Sequence, residues 1–396
     1  MLVIVAPGQG AQTPGFLAPW LEDPVFAERI DWLSVVSGLD LAHYGTKADQ
    51  DAIRDTAVAQ PLLVASGLVA AVSLFPHPAD AFRVVGAASG HSVGEITAAA
   101  GVGVISAEQA MVLVRERGRA MADASRRAAT SMTAVLGGDR EEILAALDRH
   151  GLTAANDNGP GQIVAAGTVD QLAALADDPP AKARLTPLSV AGAFHTAHMQ
   201  PAVEVLDRLA SAVSTHDPRT RLISNLDGQI VHDGQEVLRR IVGQVASPVR
   251  WDLCMHTMRD LGVTGLLEMP PAGTLTGIAR RGLKGVAGFA LKSPDQLDDA
   301  RAFAEEHADI DVSPLDASPT WRLLVSPAKG AFTLSDQLDH AKPLQPRDII
   351  GTVRNRGDSI PVMAPHGGTV VEWLVEDGDP VAPGQPLVRL HPEGAS

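Results

Sequence analysis

The chain has 396 residues, 45% of them hydrophobic, with one tyrosine, one cysteine and a formal net charge of −15. That length allows two or three domains with substantial cores. The acidic balance and scarce aromatics exclude a nucleic-acid or anionic-membrane partner. Cys254, being alone, excludes an internal disulfide and fits a reducing cytoplasm.

Residues 2–6 form an apolar, β-branched run that reads as a first strand. It has no charged n-region, so it is not read as a signal peptide. No apolar run is read as long enough to cross a membrane. The loop Pro7-Gly-Gln-Gly-Ala-Gln12 lacks the spacing and the Gly-Lys-Ser/Thr ending of a phosphate cradle. Its two glutamines suggest backbone and amide donors aimed into a site. An alanine-rich helix is expected over Gln60–Leu74. A strand is then expected from Phe82 through Ala88, running into Gly90-His91-Ser92-Val93-Gly94-Glu95 and a helix. Serine in GxSxG between a strand and a helix is the nucleophile-elbow pattern, which would lift the Ser92 hydroxyl clear of the sheet near a helix N-terminus. The alternative is a Gly-rich turn with an incidental serine. Strands alternating with helices predict a parallel sheet covered on both faces.

In the helix around Met111–Met121, the residues Val114, Arg117, Gly118 and Met121 share one face. Arg115 and Arg119 fall on another, solvated one. Arg117 therefore projects from an apolar or small face and needs either a structural carboxylate or an anionic ligand. Residues 128–193 read strand (132–136), helix (141–150), strand (153–155), strand (162–166), helix (169–176), strand (184–190). That βαββαβ order is a ferredoxin-like unit inserted into the main domain.

His195, after a strand-ending glycine, is placed as a general base for Ser92, although no acid claims the role of orienting it. His195 and His198 stand three apart, but no Cys, Asp or Glu completes a ligand set, so no metal is expected. Further along come helix 202–213, strand 221–225, strand 264–268, a helix carrying Arg280, Arg281 and Lys284, and a last strand over 286–292.

With these pieces in order, the first ~300 residues closely resemble the malonyl-CoA:acyl carrier protein transacylases. The likeness rests on APGQGAQTPGF (6–16), AQPLLVASG (59–67), GHSVGEITAA (90–99), RERG (115–118), GQIVAAGT (161–168), VAGAFHTAHM (190–199), GQVASPVRWDLCM (243–255) and GTLTGIARR (273–281). The resemblance implies an α/β-hydrolase-like core (1–127 and 194–292) around the inserted subdomain. It implies malonyl transfer from malonyl-CoA to the phosphopantetheine thiol of acyl carrier protein, through a malonyl-Ser92 ester. His195 would be the base, the backbone amides of Gln9 and Val93 the oxyanion donors, and Arg117 the partner of the malonyl carboxylate. Gln244 would orient His195 through its backbone carbonyl, and Phe194 would disfavour methyl-branched substrates. The run Glu268-Met-Pro-Pro-Ala-Gly273 departs from the family's turn. An editing acyl-ACP thioesterase of the same fold is the alternative. Since carrier proteins are acidic, docking would use a local basic patch, for which Arg280, Arg281 and Lys284, with Arg126 and Arg127, are the candidates; a merely solvated charged face is the other reading.

Residues 293–319 read as a helix and then an acidic, Pro-rich linker. Beyond it lies an internal repeat. Pro327-Ala-Lys-Gly330 is echoed by Pro365-His-Gly-Gly368, Leu344-Gln-Pro346 by Val381-Ala-Pro383, and Ile349–Val353 by Pro386–Leu390. Two such halves suggest a flattened, quasi-symmetric all-β barrel over 320–396. APHGGTVVEWLVEDGDPVAPGQPLVRL (364–390) resembles the second half of a biotinyl/lipoyl carrier domain. The hairpin 354–358, where such domains present their acceptor lysine, has none; Lys329 and Lys342 are remote. No biotin, lipoate or other cofactor is therefore expected, and the tail is read as a structural, docking or self-contact module.

Overall fold

The computed structural model describes residues 1–190, 192–308, 322–335, 342–355, 357–365 and 367–391. It divides into two compact units, Met1–Asp309 and Ile310–Ser396. Residues 309–319 of the expected linker, and Arg356 in the expected hairpin, lie outside the described residues.

In the first unit the strands are β1 (Leu2–Ala6), β2 (Val85–Gly90), β3 (Thr130–Gly137), β4 (Thr153–Asp157), β5 (Gln162–Thr168), β6 (Ala183–Pro187), β7 (Arg221–Ile223), β8 (Ile230–Val231), β9 (Val249–Arg250), β10 (Gly265–Glu268) and β11 (Ala287–Ala290). The main sheet has the order β11-β10-β1-β2-β7-β8, parallel except for the edge strand β8. Both its faces are covered, which explains why β1 is apolar throughout. Leu2 and Ile4 pack into one core, Val3 and Val5 into the other.

Several helices are started by the chain's abundant acid. The side chains of Asp23, Asp40, Asp49, Asp55, Asp139 and Asp233 each accept a backbone N–H at a helix N-terminus. The helix Ala107–Ser125 opens instead with a Ser106/Gln109 capping box. Helix Thr56–Leu74 is, contrary to the expectation for the chain, long and apolar enough to cross a bilayer. Its residues are mostly buried, and it packs against Ala107–Ser125 and Gly94–Gly101 as the central helix of the unit. β2 begins at Val85, three residues later than expected, because Phe82–Val84 close the helix Pro78–Val84.

The inserted βαββαβ segment follows its expected elements to within a few residues. Its strands lie in the order β6-β3-β5-β4 with antiparallel pairing throughout, as a ferredoxin-like unit requires. Two boundaries differ from expectation. β9 adds to the edge of this small sheet, parallel to β4, with Asn156 opposite Val249 and Asp157 opposite Arg250. The helix expected ahead of the linker is Leu297–Glu306, and it lies beyond the expected end of the core at 292. Ala300 and Ala304 are fully buried in the main core, and Arg301 donates to the carbonyls of Ser73 and Leu74, so the helix belongs to the first unit.

In the second unit the strands are β12 (Arg322–Val325), β13 (Gly330–Leu334), β14 (Ile349–Arg354), β15 (Ser359–Met363), β16 (Thr369–Trp373), β17 (Pro380–Val381) and β18 (Pro386–His391). They form two sheets, β12-β18-β16 and β15-β14-β13-β17, around one core that includes Phe332, Ile350, Val353, Leu387 and Leu390. Exchanging the two halves of the unit maps one sheet onto the other. Leu344 bridges Gly368 as Val381 pairs with Gly330, the pairing the repeat in the sequence demands.

Candidate active site

β2 ends at Gly90, the chain turns through His91–Val93, and the helix Gly94–Gly101 begins. At the apex Ser92 has φ 55°, a left-handed value that is strained for serine and keeps its hydroxyl off the sheet. The turn is closed tightly. A Cβ on Gly90 would overlap the Gly94 carbonyl carbon, and one on Gly94 the Ala6 carbonyl oxygen. Asn225, just past β7, clamps the elbow from the neighbouring strand. Its Oδ1 accepts the Ser92 N–H (2.8 Å), its Nδ2 donates to the Gly90 carbonyl (2.7 Å), and its own N–H donates to Glu95 Oε1 (2.8 Å). Sequence reading did not single out Asn225. Its position at the C-terminal end of a parallel strand, where α/β sites gather, was the available signal.

His195 also holds a left-handed φ, 62°. Its Nε2 lies 2.9 Å from Ser92 Oγ, and its Nδ1 lies 3.0 Å from the Gln244 backbone carbonyl. A carbonyl only accepts, so it holds the proton on Nδ1 and leaves Nε2 a lone pair facing the hydroxyl. Gln244 Nε2 lies at the same 3.0 Å from Nδ1, but it has no lone pair to accept that proton. Burial, and then the charge of Arg117, push the His195 pKa down to about 3, so the ring is neutral and ready to take a proton. Serine and histidine thus form a dyad, with a main-chain carbonyl in the place where a triad has its acid.

Arg117 is 1% exposed, and its neighbours on the inward face, Val114, Gly118 and Met121, are buried with it. Its Nη1 donates to Gln60 Oε1 (2.6 Å) and its Nη2 to Gln244 Oε1 (3.2 Å) and Ser92 Oγ (3.3 Å). Among the described residues no carboxylate pairs with it. Burial lowers its pKa only to about 10, so it stays charged. A buried guanidinium held by neutral oxygens keeps its charge available to an anion. No ion pair ties it to a structural carboxylate among the described residues, although the charge of Glu95 acts on it. On the other face Arg119 is exposed, whereas Arg115 is half-buried and donates to the Val36 carbonyl.

Beneath the elbow, burial raises the Glu95 carboxyl to about 7, against the pull of the Asn225 N–H, Arg117 and Arg240. A carboxyl with a folded pKa above its unfolded value contributes fully to stability below the unfolded pKa, 4.5, and loses that contribution as pH rises through 7. Glu95→Gln keeps the acceptor and removes the charge. It is expected to raise the melting temperature by an amount that grows between about pH 5 and about pH 8. A pH-independent shift in calorimetry would contradict this.

The opening loop corrects one expectation. Gln9 Nε2 donates to the Arg54 carbonyl (3.2 Å) and to Thr56 Oγ1 (3.3 Å), while Gln12 accepts the Gly10 N–H and donates to the Ile53 carbonyl. Both side-chain amides therefore brace the loop and do not reach into the site. The backbone N–H groups of Gln9 and of Val93 have no acceptor among the described residues. Phe194 is buried beside His195. His198 is exposed, and among the described residues no group of three or more metal-ligating side chains occurs. Arg280, Arg281 and Lys284 are exposed near the end of helix Thr274–Gly282, with Arg281 donating to Gln162 Oε1. Arg126 pairs with Asp123, and Arg127 is exposed. Among the described residues the Pro-Pro run makes no hydrogen bond to Ser92, His195, Arg117 or Gln244; the Pro270 carbonyl accepts from Ser66. Glu268 before it accepts the N–H groups of Gly273, Leu275 and Thr276, capping that same helix.

Residues 3–313 match a family model described as the acyl transferase domain. The malonyl CoA-acyl carrier protein transacylase of Mycobacterium tuberculosis is 49% identical over 299 residues, covering 76% of this chain and 99% of its own length. The protein of that name from Mycolicibacterium smegmatis is 49% identical over 286 residues, 71% of this chain and 98% of its own. The crystal structure of MCAT from Mycobacterium tuberculosis aligns with a TM-score of 0.74 at 48% identity, over 76% of this chain and 99% of that one. A structure of a type II PKS acyl-carrier protein in complex with its malonyl-transacylase aligns with a TM-score of 0.70 at 28% identity, over 76% and 99%.

Proposed function

Because the chain belongs to the acyl transferase domain family, and within it to the malonyl CoA-acyl carrier protein transacylases, we infer that its first unit moves a malonyl group from malonyl-CoA to the thiol of an acyl carrier protein. The observation that carries this reading is Arg117, a charged, buried side chain whose hydrogen-bond partners among the described residues are all neutral, 3.3 Å from the Ser92 hydroxyl. It suits an acyl group that ends in a carboxylate.

The proposed chemistry runs in two halves. His195 Nε2 takes the Ser92 proton as Oγ bonds to the thioester carbon. The negative charge that develops on the carbonyl oxygen is met by the free N–H groups of Gln9 and Val93, each such donor worth about 10²–10³ in rate. The C–S bond then breaks, and coenzyme A leaves with the proton from His195, so that malonyl remains as an ester on Ser92. In the second half the carrier protein's thiol gives its proton to His195 and attacks the ester, and Ser92 recovers its own. Arg117 holds the carboxylate throughout, which keeps the carbonyl in one orientation for both attacks. Gln244 keeps the imidazole in the productive tautomer, and Phe194 narrows the acyl site against a methyl branch.

Labelled malonyl-CoA and carrier protein distinguish transfer from hydrolysis. The label is expected on the carrier protein; recovery mainly as free malonate would favour a thioesterase, a reading the names of the relatives do not support. Arg280, Arg281 and Lys284 are proposed to meet the acidic carrier. The second unit is proposed to be a biotinyl/lipoyl-like module without an acceptor lysine, carrying no covalent cofactor and serving as a docking or self-contact surface. Its support is the half-for-half repeat and the β14–β15 hairpin.

A further inference from the structure

A cavity of about 470 Å³ lies apart from the dyad, and none of Ser92, His195, Arg117 and Gln244 lines it. Its walls come from β1 and β2 and from the helices Pro24–Ser37, Thr56–Leu74, Pro78–Val84 and Gly94–Gly101. Leu33, Leu68, Phe75, Phe82 and Val85 make it apolar. Ala71, Ala98, Ala100 and Gly101 keep it open, since larger side chains at these positions would occupy the space. Close-packed interiors leave few voids larger than a water molecule, and this volume falls in the ~300–1,000 Å³ range of small-molecule sites. At the solvent end the indole of Trp32 is 56% exposed.

Three charged side chains line the cavity: Arg29, Arg219 and Glu108. Glu108 already accepts the Trp32 indole N–H at 3.2 Å. Arg29 is half-buried and forms no hydrogen bond or ion pair among the described residues. The Arg219 guanidinium lies over the Phe82 ring, 5.7 Å from its centroid, with no acidic partner among the described residues. In a chain with net charge −15, two guanidinium groups without acids thus meet one apolar cavity.

We propose that this cavity binds a long-chain acyl compound, its aliphatic chain against the apolar walls and its anionic head on Arg29 and Arg219. Apolar walls favour methylene groups without regard to sequence of atoms, and guanidinium groups favour carboxylate or phosphate oxygens. The site is separate from the malonyl transfer reaction and does not depend on that reading.

The test uses the full chain and palmitate, with tryptophan emission as the signal. Palmitate is expected to give a saturable change in emission that Trp32→Phe removes. The double variant Arg29→Gln/Arg219→Gln is expected to raise its Kd at least about tenfold, the loss of one good charge contact. Gly101→Phe, at a position where an added Cβ meets nothing within 4 Å, is expected to abolish binding. Malonyl transfer by all three variants is expected to stay at the parent rate, which also reports that they fold. Palmitoyl-CoA is the second arm. If it binds with the same Arg29, Arg219 and Gly101 dependence and palmitate does not, the head group is the thioester's phosphates and not a carboxylate. Equal binding of hexadecyltrimethylammonium, indifference to the two arginines, or no saturable change with either acyl probe would overturn the proposal.

Discussion

Replacing Ser92 by alanine is expected to lower kcat for malonyl transfer by about 10⁶-fold, the scale on which a nucleophile of this kind is lost. Among the described residues the hydroxyl is the one hydrogen-bond partner of His195 Nε2, at 2.9 Å, and the left-handed turn and the Asn225 clamp hold it in that place. His195→Ala is expected to cost nearly as much. The double variant is expected to add little more, because the two residues act as a unit. Intact-mass measurement after acid quenching provides the direct check. The parent incubated with malonyl-CoA should carry a malonyl adduct that Ser92→Ala lacks, with the circular dichroism of the two unchanged. An adduct on the alanine variant, or a kcat within tenfold of the parent, would move the role to another residue.

Arg117→Ala is expected to lower kcat/KM for malonyl-CoA by about 10²–10³-fold while sparing acetyl-CoA. Truncating one partner of a buried charge pair costs roughly 2–5 kcal/mol, and each 1.36 kcal/mol is about tenfold in rate. Acetyl has no carboxylate to lose. Equal losses for the two substrates would sink the assignment. The same variant carries a pH signature. His195 is held at about 3 by burial first and by Arg117 second. Without the guanidinium, the imidazolium is repelled less and its pKa rises. A base protonates as pH falls through its pKa, so the acid limb of kcat/KM for acetyl-CoA should move to higher pH. Burial still acts on the ring, so the limb should remain below the ordinary histidine value.

The parts of this site that could be read from the sequence were those with local patterns. GxSxG after an apolar run located Ser92, and helical spacing placed Arg117 on the inward face, although spacing could not say what it faces. The βαββαβ segment was legible because each of its elements carries its own periodicity and turns. Phe82-Arg-Val-Val misled at the start of β2, since a β-branched run fits a strand by composition, while Pro78 and the acidic first turn with Asp80 begin a helix that absorbs part of it. Asn225 escaped notice because its contacts to Gly90 and Ser92 span more than 130 residues of chain. The two glutamines of the opening loop misled in the opposite way, because an amide looks alike whether it braces its own loop or reaches a ligand. β9, two residues long, has no periodicity to detect.

That short strand bears on how the enzyme can be cut and recombined. Residues 128–193 expressed alone would lack Val249 and Arg250, leaving the free edge of β4 to seek another copy. A chimera that exchanges the small sheet between relatives therefore has two crossover segments, one around 128–193 and one around 244–252. The second carries Gln244, which accepts from His195, so a donor sheet would arrive with its own support for the imidazole proposed as the base.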